Sequence, residues 1–275
     1  MEGISIIDQF QGFLNTPDIF PDERDLKTFQ FPDVNLSEAL LLDLEELDHP
    51  RNSVLGKRME SFFEIAIKHS ERYDLIASNI QIIENKQTLG ELDFLVFDKE
   101  ISKTVHVELV YKLYVYDESL SNERDKWIGP NRRDSFSEKL EKLRSKQFPL
   151  LYKPETSHYL KKLGLNKEDI QQQLCFKAQL FTADNLNFSD QKTVNPDCYK
   201  GHYVRLSDFI EENNSDSQFH SPKKKYWSCD PTNNSEWMNK QELLNNIEQL
   251  IEKEKAPLVW KRSGSAFQSF FIVWW

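Results

Sequence analysis

Three carboxylates in two neighbouring segments of the sequence have the residue types and spacing of a metal site. Glu91 and Asp93 lie in segment 90–97, and Glu108 lies in segment 104–112. Apolar and polar side chains alternate in both segments, which predicts two β-strands that each have one apolar face. Carboxylate oxygens are the ligands that Mg²⁺ and Mn²⁺ prefer, so the segments could hold a divalent cation.

The turn between the two strands decides which carboxylates meet. If residues 98–103 close an antiparallel hairpin, Asp93 lies opposite Glu108 and Glu91 lies opposite Val110. Directly opposed carboxylates destabilise a strand pair and raise the pKa of one of them, unless a cation neutralises the site. A bound Mg²⁺ or Mn²⁺ would supply that cation.

Two alternatives need no metal. Lys112, His106 or an arginine from elsewhere in the chain could pair with the carboxylates, or the register could differ so that they never meet. The alternation alone does not decide between these arrangements.

The pattern Gly-Glu-x-Asp, then an apolar strand, then a strand with an inward Glu resembles the core of the PD-(D/E)XK nuclease superfamily. The wider block, including segments 127–134 and 146–150, resembles a bacterial family catalogued as domain of unknown function 1853, which is itself similar to those nucleases. The resemblance implies an α/β protein with a restriction-endonuclease-like α-β-β-β-α-β core, a mixed central sheet and an α+β C-terminal extension. It also implies that Asp93, Glu108 and Glu91 bind the metal.

The resemblance is incomplete at one position. In the superfamily a lysine two residues after the Glu positions or activates the attacking water, and here that position is Val110. Lys112 is the nearest lysine on the same strand face, four residues from Glu108 or about 13 Å along the backbone. Its side chain would have to lean back, so metal binding is better supported than cleavage.

Two further residues match accessory elements of the resemblance. Segment 56–67 predicts an amphipathic helix on which Glu60 or Glu64 could supply an outer carboxylate; the alternative is that they are solvated residues beside an apolar stripe, which is the favoured interpretation for Glu64. Gln147 ends a second apolar stripe that begins after the capping box of Ser135. It could point back to the site, or it could be a satisfied polar group at a helix end.

A group of basic residues near the hairpin is the predicted nucleic-acid surface. Its members are Arg132, Arg133, Lys139, Lys142 and Lys146. Glu138 and Glu141 alternate with these lysines, and such charged helix faces are often simply solvated. A second basic segment, Lys223-Lys224-Lys225-Tyr226-Trp227, could contact a phosphate and stack a base, but a buried strand starting at Tyr226 is the favoured alternative.

The composition argues against a strong non-specific nucleic-acid binder. The 275 residues include 35 Lys and Arg against 45 Asp and Glu, which gives a net charge of -10. A selective substrate or a partner is therefore expected. The sequence shows neither a signal peptide nor a membrane span, which predicts a cytoplasmic protein, and three widely spaced cysteines indicate reduced thiols.

The predicted organisation has three parts: a helical segment 1–55, a nuclease-like α/β core 56–190, and an α+β extension 191–275 that packs on the core. Strands are predicted at 73–84, 174–182 and 202–206, and helices at 40–47 and 240–255. The apolar end, 267–275, is predicted to be a buried strand or a partner-binding edge.

Three hypotheses about function remain open. The first is a Mg²⁺- or Mn²⁺-dependent phosphodiesterase in which Asp93 and Glu108 bind the metal, Glu91 or Glu60 adds an outer carboxylate, and Lys112 orients water. The second is a nuclease-fold binding or interaction protein that has lost cleavage. The third, a carboxylate pair acting on a glycoside, needs an aromatic-lined cleft that a sequence cannot reveal. Oligomeric state is open in all three.

Overall fold

A mixed β-sheet runs through the molecule in a computed structural model, which describes residues 3–20, 26–49, 54–123, 125–183, 194–212 and 216–275. The nine strands found in these ranges follow the order β1-β2-β3-β5-β6-β9-β8-β7, and β4 pairs with the end of β3. They are β1 (Tyr73–Glu84), β2 (Gln87–Asp98), β3 (Lys103–Tyr116), β4 (Trp127–Ile128), β5 (Ile170–Ala183), β6 (Tyr199–Arg205), β7 (Gln218–His220), β8 (Leu258–Ser263) and β9 (Ala266–Val273).

Helices cover both faces of this sheet. They are α1 (Ile6–Leu14), α2 (Glu38–Glu45), α3 (Leu55–Lys68), α4 (Phe136–Lys142), α5 (Phe148–Leu150), α6 (Ser157–Lys162), α7 (Leu206–Glu211) and α8 (Lys240–Glu252). The first three share a buried cluster with one face of the β1–β3 meander, and α4 packs on the opposite face. The predicted α/β class with a large mixed sheet is therefore confirmed.

The hairpin of β2 and β3 has the predicted register. Asp98 pairs with Lys103 and Phe94 pairs with Val107, so partner numbers have a constant sum. Phe94, Val96, Val105 and Val107 are fully buried, and they pack against α3 as the alternation predicts. The opposite parity, which includes Asp93 and Glu108, therefore faces the side of the sheet that α4 covers.

The chain between β4 and β5 approaches the hairpin as a helix with an irregular middle. Ser135 and Glu138 form the predicted capping box at the start of α4. A π-helical turn, Leu143–Gln147, follows α4 and leads into the short α5. A π turn accommodates one more residue than an α turn, so it changes which side chains face the sheet.

Four sequence predictions about elements can be compared with the structure. The strand at 73–84 has its predicted bounds. The strand predicted at 202–206 ends at Arg205, because Leu206 begins α7. The strand predicted to start at Tyr226 is wrong, because Lys224–Tyr226 forms a 3₁₀ turn after Pro222. The segment 267–275 contributes β9, an inner strand between β6 and β8.

The predicted division at 190/191 falls outside the described residues. The strands before and after this boundary belong to one sheet, because β5 pairs in parallel with β6 and β6 pairs in parallel with β9.

The N-terminal segment is fixed to β5 by a buried polar pair. Asp18 accepts a hydrogen bond from the Phe176 N–H at 2.9 Å, and burial raises the pKa of Asp18 to about 6. The Lys177 ammonium donates to the carbonyls of Leu14 and Thr16 at 3.2 and 2.7 Å. Hydrogen bonds between side chains and the backbone thus connect this segment to the sheet that carries the acidic residues.

Close contact between β6 and β9 requires glycine at position 201. A Cβ atom there would lie 1.9 Å from the Ser269 carbonyl oxygen, a backbone atom that cannot move independently of its strand. We expect Gly201→Ala to destabilise the protein by about 1–3 kcal/mol, measured by urea unfolding. Gly3→Ala is the control, since a methyl group at Gly3 meets nothing within 4 Å; equal stability of the two variants would contradict the prediction.

The helices within the described ranges are all too short or too polar to cross a membrane.

Candidate functional site

Asp93 and Glu108 lie where β2 and β3 separate. The last ladder pair before the separation is Phe94 with Val107, so the two carboxylates occupy the next opposed positions. Asp93 accepts a hydrogen bond from the Leu109 N–H at 2.9 Å, and a side-chain hydrogen bond joins Asp93 to Glu108. The sequence prediction that these two carboxylates would face each other is therefore met by their placement.

The two carboxyl groups are shielded from water to different extents. Glu108 has no exposed surface, and Asp93 is partly buried. Burial, followed by the proximity of Glu108, raises the pKa of Asp93 to about 8, and burial likewise raises the pKa of Glu108 to about 8. Two acids this close cannot both be ionised cheaply near neutral pH, so the pair retains a proton that a bound cation would displace.

Gln147 and Lys139 form a chain of contacts that ends on Glu108. The Gln147 Nε2 donates to Glu108 Oε2, and the Lys139 ammonium donates to Gln147 Oε1 at 2.7 Å. Burial, and then Lys142 nearby, lower the pKa of Lys139, while Glu108 and Asp93 act in the opposite direction. A partly buried ammonium therefore lies next to the acidic pair.

The π turn explains why Lys139 and Gln147 share one face. In an uninterrupted α-helix, residues eight apart are rotated by about 80° around the axis. The π turn at Leu143–Gln147 absorbs one residue and removes most of that rotation. The helix can then aim both long side chains at Glu108.

His106 contacts the other oxygen of Glu108. The His106 Nε2 lies 3.0 Å from Glu108 Oε1, but the geometry is not that of a hydrogen bond, and both atoms lack a partner among the described residues. Gln172 Nε2 approaches His106 Nδ1 at 3.0 Å and donates to the Phe148 carbonyl at 2.8 Å. Burial lowers the pKa of His106 to about 4, so the imidazole is neutral near pH 7.

Glu60 and Glu91 form an outer group of carboxylates. Glu60 acts electrostatically on Asp93, and Glu91 acts on Glu108. Lys57 forms a 2.6 Å ion pair with Glu60; although its burial works the other way, this contact and the charges of Glu91 and Asp93 raise the pKa of Lys57. Glu64 instead pairs with Lys68 and accepts a hydrogen bond from Ser78.

Lys112 does not lean back toward Glu108. Its ammonium pairs with the Asp134 carboxylate, which the loop after β4 brings beside β3. The lysine that reaches Glu108 through Gln147 is Lys139, which comes from α4 and is one of the residues predicted for a nucleic-acid surface. The structure therefore brings Asp93, Glu108 and Gln147 together but leaves Lys112 out of their contacts.

The other predicted nucleic-acid residues each have contacts of their own. Arg132 pairs with Asp117 and lies over the Trp275 ring, and Arg133 lines a cavity on the β3 side. Lys142 and Lys146 lie together on the outer face of the helix beside Glu138 and Glu141, as the alternating charges predict for a solvated face.

Within the described ranges, no group of three or more His, Cys, Asp or Glu side chains converges closely enough to form a complete protein metal site. Mg²⁺ does not need such a group, because it commonly uses one or two carboxylates and takes its other ligands from water and substrate phosphates. The buried oxygen Glu108 Oε1, without a hydrogen bond and next to a second carboxyl group, fits that ligand chemistry. Asp93 and Glu108 are the residues that could hold the cation.

Sequence reasoning missed two members of this network. His106 was considered only as a cation that might pair with the carboxylates, whereas it is buried and neutral. Lys139 was assigned to an outward face because its spacing to Lys142 and Lys146 is helical. The helical stripe that ends at Gln147 does not reveal Lys139, since residues eight apart on a regular α-helix are rotated by about 80°.

A family model described as "Domain of unknown function (DUF1853)" matches residues 35–266. The match includes the acidic pair, His106, Lys139 and Gln147. No curated protein and no solved structure matches the chain.

Proposed function

The chain belongs to the DUF1853 family, and on that premise we propose that it is a Mg²⁺- or Mn²⁺-dependent phosphodiesterase acting on nucleic acid. The observation that carries the proposal is the close pair of Asp93 and Glu108, whose raised pKa values indicate that the neighbouring Lys139 ammonium does not fully compensate their charge. An ion pair that stabilises a fold lowers the pKa of its carboxylate, as Arg72 lowers the pKa of Asp98 against the effect of burial. The pKa values of Asp93 and Glu108 are raised instead, which is more typical of a functional site than of a stabilising ion pair.

The proposed fold relationship is to the PD-(D/E)XK nucleases. The order α3, β1, β2, β3, α4 and β5, with β3 and β5 parallel, supports the expected α-β-β-β-α-β core. The acidic residues lie at the point where two antiparallel strands separate. Fold alone does not assign an activity, so the proposal depends on the site.

Each residue of the network has a proposed role. A divalent cation held by Asp93 and Glu108 would lower the pKa of a bound water and neutralise charge on the phosphate. Gln147 keeps the Glu108 carboxylate in one orientation by donating to its Oε2, and the neutral His106 ring lies beside its Oε1. Lys139, rather than Lys112, supplies the ammonium next to the site, where it can orient water or stabilise developing negative charge. Glu60 and Glu91 supply outer carboxylates.

The second candidate is a binding or interaction protein that has this fold but no cleavage activity. Val110 at the position of the superfamily lysine and the net charge of -10 favour it. The two candidates make the same use of Asp93 and Glu108 as metal ligands, but only the first requires the Lys139 ammonium for turnover.

Cleavage of circular single-stranded DNA and linear duplex DNA in Mn²⁺ tests the proposal. We expect the wild-type protein to cleave at least one of them, and Glu108→Gln purified in parallel to lose that cleavage, because the variant removes a metal ligand while keeping the side-chain shape. Glu141→Gln, an exposed glutamate on α4, is the matched control and should cleave normally. Cleavage of equal rate in all three preparations would identify a contaminating nuclease and contradict the proposal.

A further inference from the structure

A cavity of about 360 Å³ opens beside β3 on the side away from β5. Its wall includes three basic side chains, those of Lys112, Arg133 and Lys224, together with one acid, Asp134. The ring of Trp227 and the first turn of α3 complete it, and the N-terminal end of a helix adds positive potential. The cavity is therefore a basic surface in a chain whose overall charge is acidic.

The cavity and the acidic pair share one edge of β3. Pairing of β2 with β3 reaches only Val107, and β4 first pairs with β3 at Val115. In the part of the chain that the structure describes, no strand covers the intervening edge. The acidic pair lies at one end of this opening, and Lys112 in the cavity wall lies about 13 Å further along the strand.

Backbone donors also point along this opening. The Leu109 N–H crosses the edge to reach Asp93. Because N–H groups alternate along a strand, those of Tyr111 and Leu113 face the same edge, and both residues line the cavity. The opening therefore combines backbone N–H groups with basic side chains, which are the two kinds of donor that bind phosphate oxygens.

Within the described part of the chain, an ion pair with an acidic side chain is found for Lys112 but not for Arg133 or Lys224. Lys112 pairs with Asp134, and the Lys224 ammonium lies 5.3 Å from the centre of the Trp227 ring. Burial, and then Lys112, lower the pKa of Lys224, so the two ammonium groups are close enough to repel each other. With Asp134 as the acid in the cavity wall, an anion would relieve this repulsion.

We propose that this cavity binds a phosphate group of the nucleic-acid strand whose scissile phosphodiester lies at Asp93 and Glu108. The inference rests on the proposed function and adds a substrate-binding subsite to it. Lys112, Arg133 and Lys224 contact the phosphate oxygens, and the open edge of β3 guides the strand between cavity and acidic pair. The subsite reads the backbone and carries no base specificity.

Binding without metal separates this subsite from cleavage. A fluorescein-labelled single-stranded DNA is titrated at pH 7 in EDTA with the wild type, with Arg133→Gln/Lys224→Gln, and with the control Lys223→Gln/Lys225→Gln. The control removes the same charge from the residues that flank Lys224 but do not line the cavity. We expect the first double variant to bind about tenfold or more weakly, with a salt dependence reduced by about 1.4 in slope, and the control to bind as the wild type.

Equal weakening in both double variants, or no weakening in either, would overturn the subsite. Thermal unfolding of each variant checks that the comparison is between folded proteins. If inorganic phosphate competed with the DNA at concentrations close to the Kd of the DNA, the cavity would be a site for free phosphate. That result would also overturn the proposed subsite. Loss of the proposed cleavage activity leaves this measurement intact, because DNA binding in EDTA does not depend on turnover.

Discussion

Asp93→Asn is expected to make the metal-free protein more stable by about 2 kcal/mol at pH 8 and to abolish metal-dependent cleavage. The asparagine oxygen can still accept a hydrogen bond from the Leu109 N–H. The asparagine NH₂ group can donate a hydrogen bond to Glu108, which the Asp93 carboxyl group can do only when it is protonated. The variant thus keeps the hydrogen bonds of the pair and removes the buried charge.

The sign of the pH dependence follows from the raised pKa. An unfolded Asp titrates near 3.9, whereas burial and Glu108 raise the pKa of folded Asp93 to about 8. The folded state therefore binds the proton more tightly, so wild-type stability is fully present below about pH 4 and is lost as pH rises toward 8. Asp93→Asn lacks this loss, and the difference between the two proteins should grow across that interval.

Thermal unfolding in EDTA from pH 5 to pH 8.5 measures the effect. About 2 kcal/mol corresponds to a rise in Tm of about 4–8 °C for a chain of this size. Asp98→Asn is the contrasting control, because Asp98 forms an ion pair with Arg72 that lowers its pKa, so the same substitution there should destabilise the protein. A destabilised Asp93→Asn at pH 8 would show that the acidic pair is a structural element.

Local patterns were sufficient for the hairpin and its acidic pair. The register depends on turn length and on alternation of side chains, and both are encoded within residues 91–108. The observed pairing of Asp98 with Lys103 fixes the remaining partners, so Asp93 and Glu108 could be placed opposite each other from the sequence. Gln147 was likewise found from a continuous apolar stripe, although its contact with Glu108 depends on tertiary packing.

Local sequence patterns could not predict the positions of side chains on the irregular helix between β4 and β5. The helical spacing of Lys139, Lys142 and Lys146 predicts one shared face, but the π turn separates Lys139 from Lys146 and joins it to Gln147. No local pattern marks a π turn in this sequence. Its position reflects how the helix between Phe136 and Leu150 packs against the sheet.

Long-range partners were the second source of difference. The sequence favours Lys112 for the site because it is the nearest lysine to Glu108 along β3. Distance along one strand takes no account of side chains that other segments bring close. The loop after β4 brings Asp134 beside Lys112, and the Lys112 ammonium forms an ion pair with this nearby carboxylate. Lys224 shows the same effect, since its 3₁₀ turn contacts the cavity only through folding of the C-terminal part onto β3.

The two lysines give the sharpest test of the proposed mechanism. Lys139→Met is expected to reduce kcat by about 100-fold or more, because it removes the ammonium beside Glu108 while keeping a side chain of similar length. Lys112→Met should leave kcat within about fivefold of the wild type and raise KM, since Lys112 contributes to substrate binding at a distance from the acidic pair. The matched substitutions differ only in which ammonium is lost.

Steady-state cleavage of a labelled oligonucleotide in Mn²⁺ distinguishes the outcomes, with Mn²⁺ affinity measured separately by calorimetry. Lys139 is not a metal ligand, so Lys139→Met should bind Mn²⁺ with an affinity close to that of the wild type; a large loss of affinity would assign it a structural role instead. If Lys112→Met lost turnover and Lys139→Met retained it, Lys112 would have to move from Asp134 to Glu108 when substrate binds. That exchange would identify Lys112, the nearest lysine along the strand, as the lysine required for turnover. It would reject the assignment of Lys139, which is based on the contacts of Glu108.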